Sequence, residues 1–100
     1  MPPDVTFDSV FSWGAVSGAA GYQVRAKDSV QNVITPAPGV IDNGLALSIS
    51  VGALLSGQAP GQYTLEVRAV EAGGANPTAF AGIVVNLTGL AVPTGLTITP

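Results

Sequence analysis

The sequence predicts an all-β domain, an antiparallel sandwich of about seven strands, and three observations lead there. Apolar and polar residues alternate with a period of two in several separate stretches. Clusters of Gly, Pro and Asn punctuate those stretches at intervals of roughly ten residues. Nothing in the chain of 100 residues carries the 3.6-residue period of an amphipathic helix.

Each element follows from that alternation, taken in order. Val5, Phe7 and then Val10 to Trp13 make a first apolar strand region, closed by Gly14. Tyr22 to Lys27 alternates cleanly, with Tyr22, Val24 and Ala26 on the inner face and Gln23, Arg25 and Lys27 on the outer. Between Asp28 and Asn43 the pattern weakens, and short edge strands are expected near Val30–Ile34 and Gly39–Ile41. Leu45, Leu47, Ile49 and Val51 alternate with Ala46, Ser48 and Ser50, which predicts another strand.

The clearest stretch is Tyr63 to Val70, where Tyr63, Leu65, Val67 and Ala69 share one face and Thr64, Glu66 and Arg68 the other. A Gly-, Asn- and Pro-bearing loop from Glu71 to Thr78 leads to a last strand, Phe80 to Thr88. No helix longer than a turn is expected. Residues 1–88 form the domain and residues 89–100 an extended tail or linker.

The order of landmarks resembles a fibronectin type III domain, of the Ig-like sandwich superfamily. Trp13 and Tyr22-Gln23-Val24 stand where that family has its strand B tryptophan and the opening of strand C. Leu54 or Leu55, Pro60-Gly61, Tyr63, Val67 and Ala69 match its E–F corner. The likeness runs from about Phe7 to Thr88. It implies a core of Trp13, Tyr22, Val24, Leu47, Ile49, Tyr63, Leu65 and Val67, with the Tyr63 hydroxyl bonded to nearby backbone. Three features depart from the family. The leucine-to-tyrosine spacing is long, so an enlarged loop is expected there. The stretch before Trp13 is too short for a full strand A and strand B. Val92 to Pro100 looks like a strand A, but at the other end of the chain, and the two termini are expected at opposite ends of the sandwich.

Composition bounds the chemistry. There is no Cys and no His, and 3 basic against 6 acidic residues give a net charge of −3. That removes thiolate and imidazole chemistry and argues against a phosphate-binding surface. Serines lack a histidine to activate them. Asp4, Asp8, Asp28 and Asp42 stand at turns and strand ends, where aspartate commonly bonds its own backbone. Their spacing fits neither a paired-carboxylate site nor a calcium loop. No cofactor, metal or nucleic acid is expected. No apolar run approaches the ~20 residues of a membrane span, so no membrane insertion is expected.

The unusual quantity is a charged fraction of 9%, where soluble domains carry about 25%. A small neutral surface covered by Ser, Thr and Gly would account for it. So would a surface covered by neighbouring subunits. Arg25 and Glu66 project outward from strands expected to be neighbours, and Lys27 and Arg68 extend that face into a polar stripe. The stripe is either a set of cross-strand charge pairs or a contact surface. In the tail, Val92, Leu96 and Ile98 alternate, with threonines suited to a strand. They are candidates for pairing with an exposed strand edge of an adjacent subunit; a disordered linker is the plain alternative.

The function expected is therefore non-enzymatic. The first reading is a structural assembly protein, a phage or viral virion component (decoration, tail or fibre subunit) or a surface-appendage subunit. Its partners would be other protein subunits, in a homo-oligomer or a larger assembly. The start Met1-Pro2-Pro3-Asp4 shows no signal peptide, which suits a virion component assembled in the cytosol; the expected location is the virion or the extracellular space. The alternative is a protein- or glycan-binding module excised from a larger extracellular protein.

Overall fold

The computed structural model describes residues 2–36, 39–89 and 95–100. In chain order its elements are β1 (Asp4–Val5), β2 (Val10–Ser12), β3 (Gly21–Lys27), β4 (Ile41–Asp42), β5 (Ser48–Ser50), helix α1 (Val51–Leu55), β6 (Gly61–Val70), a 3-10 turn (Ala72–Gly74) and β7 (Ala81–Leu87). The fold is mostly β, with a five-stranded sheet ordered β1-β7-β6-β3-β4 and a two-stranded sheet of β2 and β5.

β6 is the spine of the larger sheet. It pairs antiparallel with β3, setting Val24 opposite Val67 and Arg25 opposite Glu66. It pairs antiparallel with β7 on its other side, setting Leu65 opposite Ile83. Alternation then sends Val24, Ala26, Tyr63, Leu65 and Val85 to one face, where all are buried. Val51, Leu54 and Leu55 of α1 join them in one apolar cluster, with Phe11 and Ile49 of the smaller sheet packed against it. Each fully buried Leu or Val contributes about 1.5–3 kcal/mol relative to exposure.

Tyr22, Val24, Tyr63 and Leu65 are buried as the sequence suggests. The Tyr63 hydroxyl donates to the Ala59 carbonyl at 2.6 Å, closing the enlarged turn ahead of β6. Tyr63→Phe is expected to cost about 0.5–1.5 kcal/mol, the net value of one such bond. Urea denaturation would check this, and a loss above about 3 kcal/mol would mean that the ring itself had been displaced.

Several expectations are corrected. The first apolar region is not one strand. A turn in which the Ser9 amide donates to the Thr6 carbonyl at 3.1 Å splits it into β1 and β2, which belong to different sheets. Nor do the described ends of the domain lie apart. β1 pairs parallel to β7, with Val5 beside Leu87.

The Leu45–Val51 strand shrinks to Ser48–Ser50. Asn43 Nδ2 donates to the Ala46 and Ser48 carbonyls and holds the preceding residues in a turn, which leaves Leu47 exposed and outside the core. Val51 instead opens α1, a five-residue helix where none longer than a turn is expected. Three of its first amides have partners outside the helix. Val51 N–H donates to the Ser9 carbonyl, Gly52 N–H to the Phe7 carbonyl, and Ala53 N–H to Ser50 Oγ.

Trp13, expected at the centre of the core, is half-buried at the end of β2. Its ring packs between Phe11 at 5.4 Å and Tyr22 at 5.8 Å, while its buried Nε1 has no hydrogen-bond partner among the described residues. Val67, on the same side of the molecule, is also half-buried. Of the expected edge strands, Val30–Ile34 supplies a single bridge from Val33 to Lys27. Asp28 Oδ1 caps a turn there, accepting from the Val30 and Asn32 amides. The second edge strand is Ile41–Asp42.

Candidate interaction surfaces

On the outer face of the larger sheet the strand register gathers every basic residue of the chain: Arg25 and Lys27 from β3, and Arg68 from β6. Arg25 Nε donates to Glu66 Oε1 at 2.6 Å, and Lys27 Nζ lies 3.6 Å from the same oxygen. Arg68 Nε donates to Gln23 Oε1 at 2.9 Å, and Gln23 Nε2 donates to Asp42 Oδ1 at 2.9 Å. Gln23, placed on the outer face by alternation, is therefore covered by its neighbours.

Phe80 completes the arrangement. The Arg25 guanidinium carbon stands 3.7 Å from its ring centroid and that of Arg68 4.6 Å, close enough for cation–π attraction. Gly82 lies opposite Glu66 in the register. A Cβ there would meet Glu66 Cγ at 2.9 Å, so the glycine makes room for the carboxylate to reach Arg25. The sequence indicated the Arg25–Glu66 neighbours and missed Phe80; its alternation with Gly82 and Val84 was the available signal.

The stripe is thus tied up internally, since its cations already have acceptors or a ring. Glu66→Gln is expected to lower stability by no more than about 1 kcal/mol, less as salt rises. Thermal melts at low and high salt would test this; a larger, salt-independent loss would show a role in packing rather than in charge pairing.

The other face is open. A groove of about 490 Å³ runs between β2 and the β6–β7 pair. Val10, Phe11 and Trp13 line one wall and Val67, Ile83 and Val85 the other, and no charged residue lines it among the described residues. Ile83 belongs to the core-facing side of β7, opposite a Leu65 that is 1% exposed, yet Ile83 itself is 45% exposed. None of the described residues packs over it.

Both flanking strands also present backbone that is unpaired among the described residues. β1 pairs with β7 only at Asn86 and Leu87. The Asn86 amide donates to the Pro3 carbonyl, so by alternation Gly82 and Val84 direct their backbone groups past the end of β1. In β2, Phe11 faces Ile49 of β5 while Val10 and Ser12 turn their backbone outward.

Of the tail candidates, Leu96 and Ile98 are 84% and 91% exposed and residues 95–100 form no strand; Val92 lies outside the described residues. The carboxylates do not converge. Asp4 Oδ1 accepts from Asn86, Asp28 caps its turn, Asp42 holds Gln23, and Glu71 accepts from Asn76. No cluster of three potential metal ligands occurs among the described residues. No family model, curated protein or solved structure matches the chain.

Proposed function

We propose that the chain is a non-enzymatic structural subunit, an Ig-like, fibronectin type III-like sandwich that assembles with other protein subunits. Virions and surface appendages are built from subunits of this kind. The observation that carries the reading is the open, uncharged groove flanked by two unpaired strand edges, on a chain with a charged fraction of only 9%. Isolated β domains ordinarily blunt such edges with charge, proline or a covering segment. Here the three basic residues all lie on the opposite face and leave the groove unprotected. An apolar, edge-rich surface of this type is stabilised by association.

The experiment is native mass spectrometry and light scattering across a concentration series. Oligomers or filaments that grow with concentration are expected. A clean monomer at every concentration would overturn the reading in favour of a binding module.

A further inference from the structure

Resting on that assembly reading, we infer that the groove between β2 and β7 is the seat of residues 95–100 from a second copy of this chain, which enter as an added strand on the free edge of β2.

The groove lacks one strand's worth of material. Core-facing Ile83 and Ala81 are exposed beside it, and among the described residues the backbone groups of Val10 and Ser12 on one wall and of Gly82 and Val84 on the other have no strand to pair with. The free stretch of β7 from Ala81 to Val85 spans about 13 Å at some 3.3 Å per residue. A five-residue strand matches that length.

Residues 95–100 have the right chemistry. They are uncharged, as the groove is. Leu96 and Ile98 lie on one side of an extended chain and Thr97 and Thr99 on the other. The two apolar residues stand exposed where they are. Gly95, at φ +70°, supplies a bend at the strand's start. In antiparallel register with β2, Leu96 falls beside Trp13, Thr97 beside Ser12, Ile98 beside Phe11 and Thr99 beside Val10. That places Leu96 and Ile98 over the exposed apolar wall and both threonines in solvent.

Direction favours a second copy over the chain's own tail. The Thr6–Ser9 turn reverses the chain, so β2 runs against β1 and hence against β7. A strand antiparallel to β2 therefore runs parallel to β7 and enters at its Ala81 end. The chain's own tail leaves from the Leu87 end, beside β1. It would have to travel back along the whole of β7 before it could enter. A neighbour's tail needs no reversal. The contact joins one surface of each copy to a different surface of the next, which propagates as a ring or a filament.

Because the chain has no Cys, disulfide trapping is clean. Ser12→Cys in unlabelled chain and Thr97→Cys in ¹⁵N-labelled chain are mixed under mild oxidation, with Ser56→Cys as the distant control. All three sites are exposed, so folding is not threatened. The mixed Ser12–Thr97 disulfide is expected to exceed the control by at least about tenfold, reflecting a high effective concentration. Leu96→Asp with Ile98→Asp, also at exposed positions, is expected to abolish both the trap and the oligomer. Oligomers that persist without preferential trapping at Ser12 would overturn this inference and leave the assembly reading standing. A chain carrying both Ser12→Cys and Thr97→Cys that traps only within itself, as a monomer, would overturn both.

Discussion

Leu55→Ala is expected to destabilise the domain by about 2–5 kcal/mol, the range for removing a fully buried leucine from a core that cannot collapse around the gap. Leu55 is 0% exposed and ends the five-residue helix. A helix this short has no stability of its own, because nucleation costs more than its few hydrogen bonds return. Leu55 and Leu54 pin it to the larger sheet, and the helix in turn covers Val24, Ala26 and Leu65. Truncating Leu55 thus opens a cavity and loosens the element that closes the core above β3 and β6. Against a total stability of about 5–15 kcal/mol, the loss is large. Leu47→Ala, at a site 38% exposed, is expected to stay within about 0.5 kcal/mol. Urea unfolding of the two variants would check the contrast. Equal losses would mean that the residues before β5 are packed and the helix is not.

That contrast also shows which parts of the fold could be read from residues alone. β3 and β6 carry seven and ten residues, and a period of two maintained over that length leaves little ambiguity; β7, apolar on both faces at Ile83, Val84 and Val85, declares itself instead as a short apolar run between turn signals. Their register then follows, and with it the meeting of Arg25 and Glu66. β1, β2 and β5 are two or three residues long, too short for any period to declare itself. The alternation of Leu45, Leu47, Ile49 and Val51 looked like a strand because sequence cannot distinguish an apolar residue on a turn from one on a pleat. Asn43 bonding to two later carbonyls decides it, and that is a three-dimensional event.

The candidate site divides the same way. The outer stripe was legible as charges at alternate positions, while Phe80 was not, because its partners come from two other strands. The groove was legible only as a deficit, in the few residues available before Trp13. What reveals it is Ile83, on the core-facing side of β7 and still exposed.

Gly52→Val is expected to cost about 1–3 kcal/mol and to distort the wall of the groove. Gly52 sits in α1, where an ordinary exposed helical glycine would gain up to about 1 kcal/mol on replacement by alanine. Here the surroundings oppose that gain. A Cβ at this position would stand 2.9 Å from the Phe7 carbonyl oxygen and 3.3 Å from Phe7 Cβ. The obstacle is backbone and cannot swing aside. The Gly52 amide also donates to that carbonyl at 2.9 Å, so relieving the clash stretches the bond that ties the β1–β2 turn to the helix. Overpacking typically costs about 1–3 kcal/mol, which exceeds the propensity gain for alanine. Valine adds branching that a helix tolerates less well, so its loss should be the larger. The turn places β2, and β2 is the edge on which the added strand is proposed to pair. Gly52→Val should therefore weaken oligomers more than its stability loss alone explains, whereas Leu55→Ala, which adds no clash at Phe7, should weaken them only in step with its stability loss. Denaturation and native mass spectrometry on both variants would separate the two effects. If Gly52→Ala proved more stable than the parent, the Phe7 carbonyl would have yielded freely and the close approach would carry no weight.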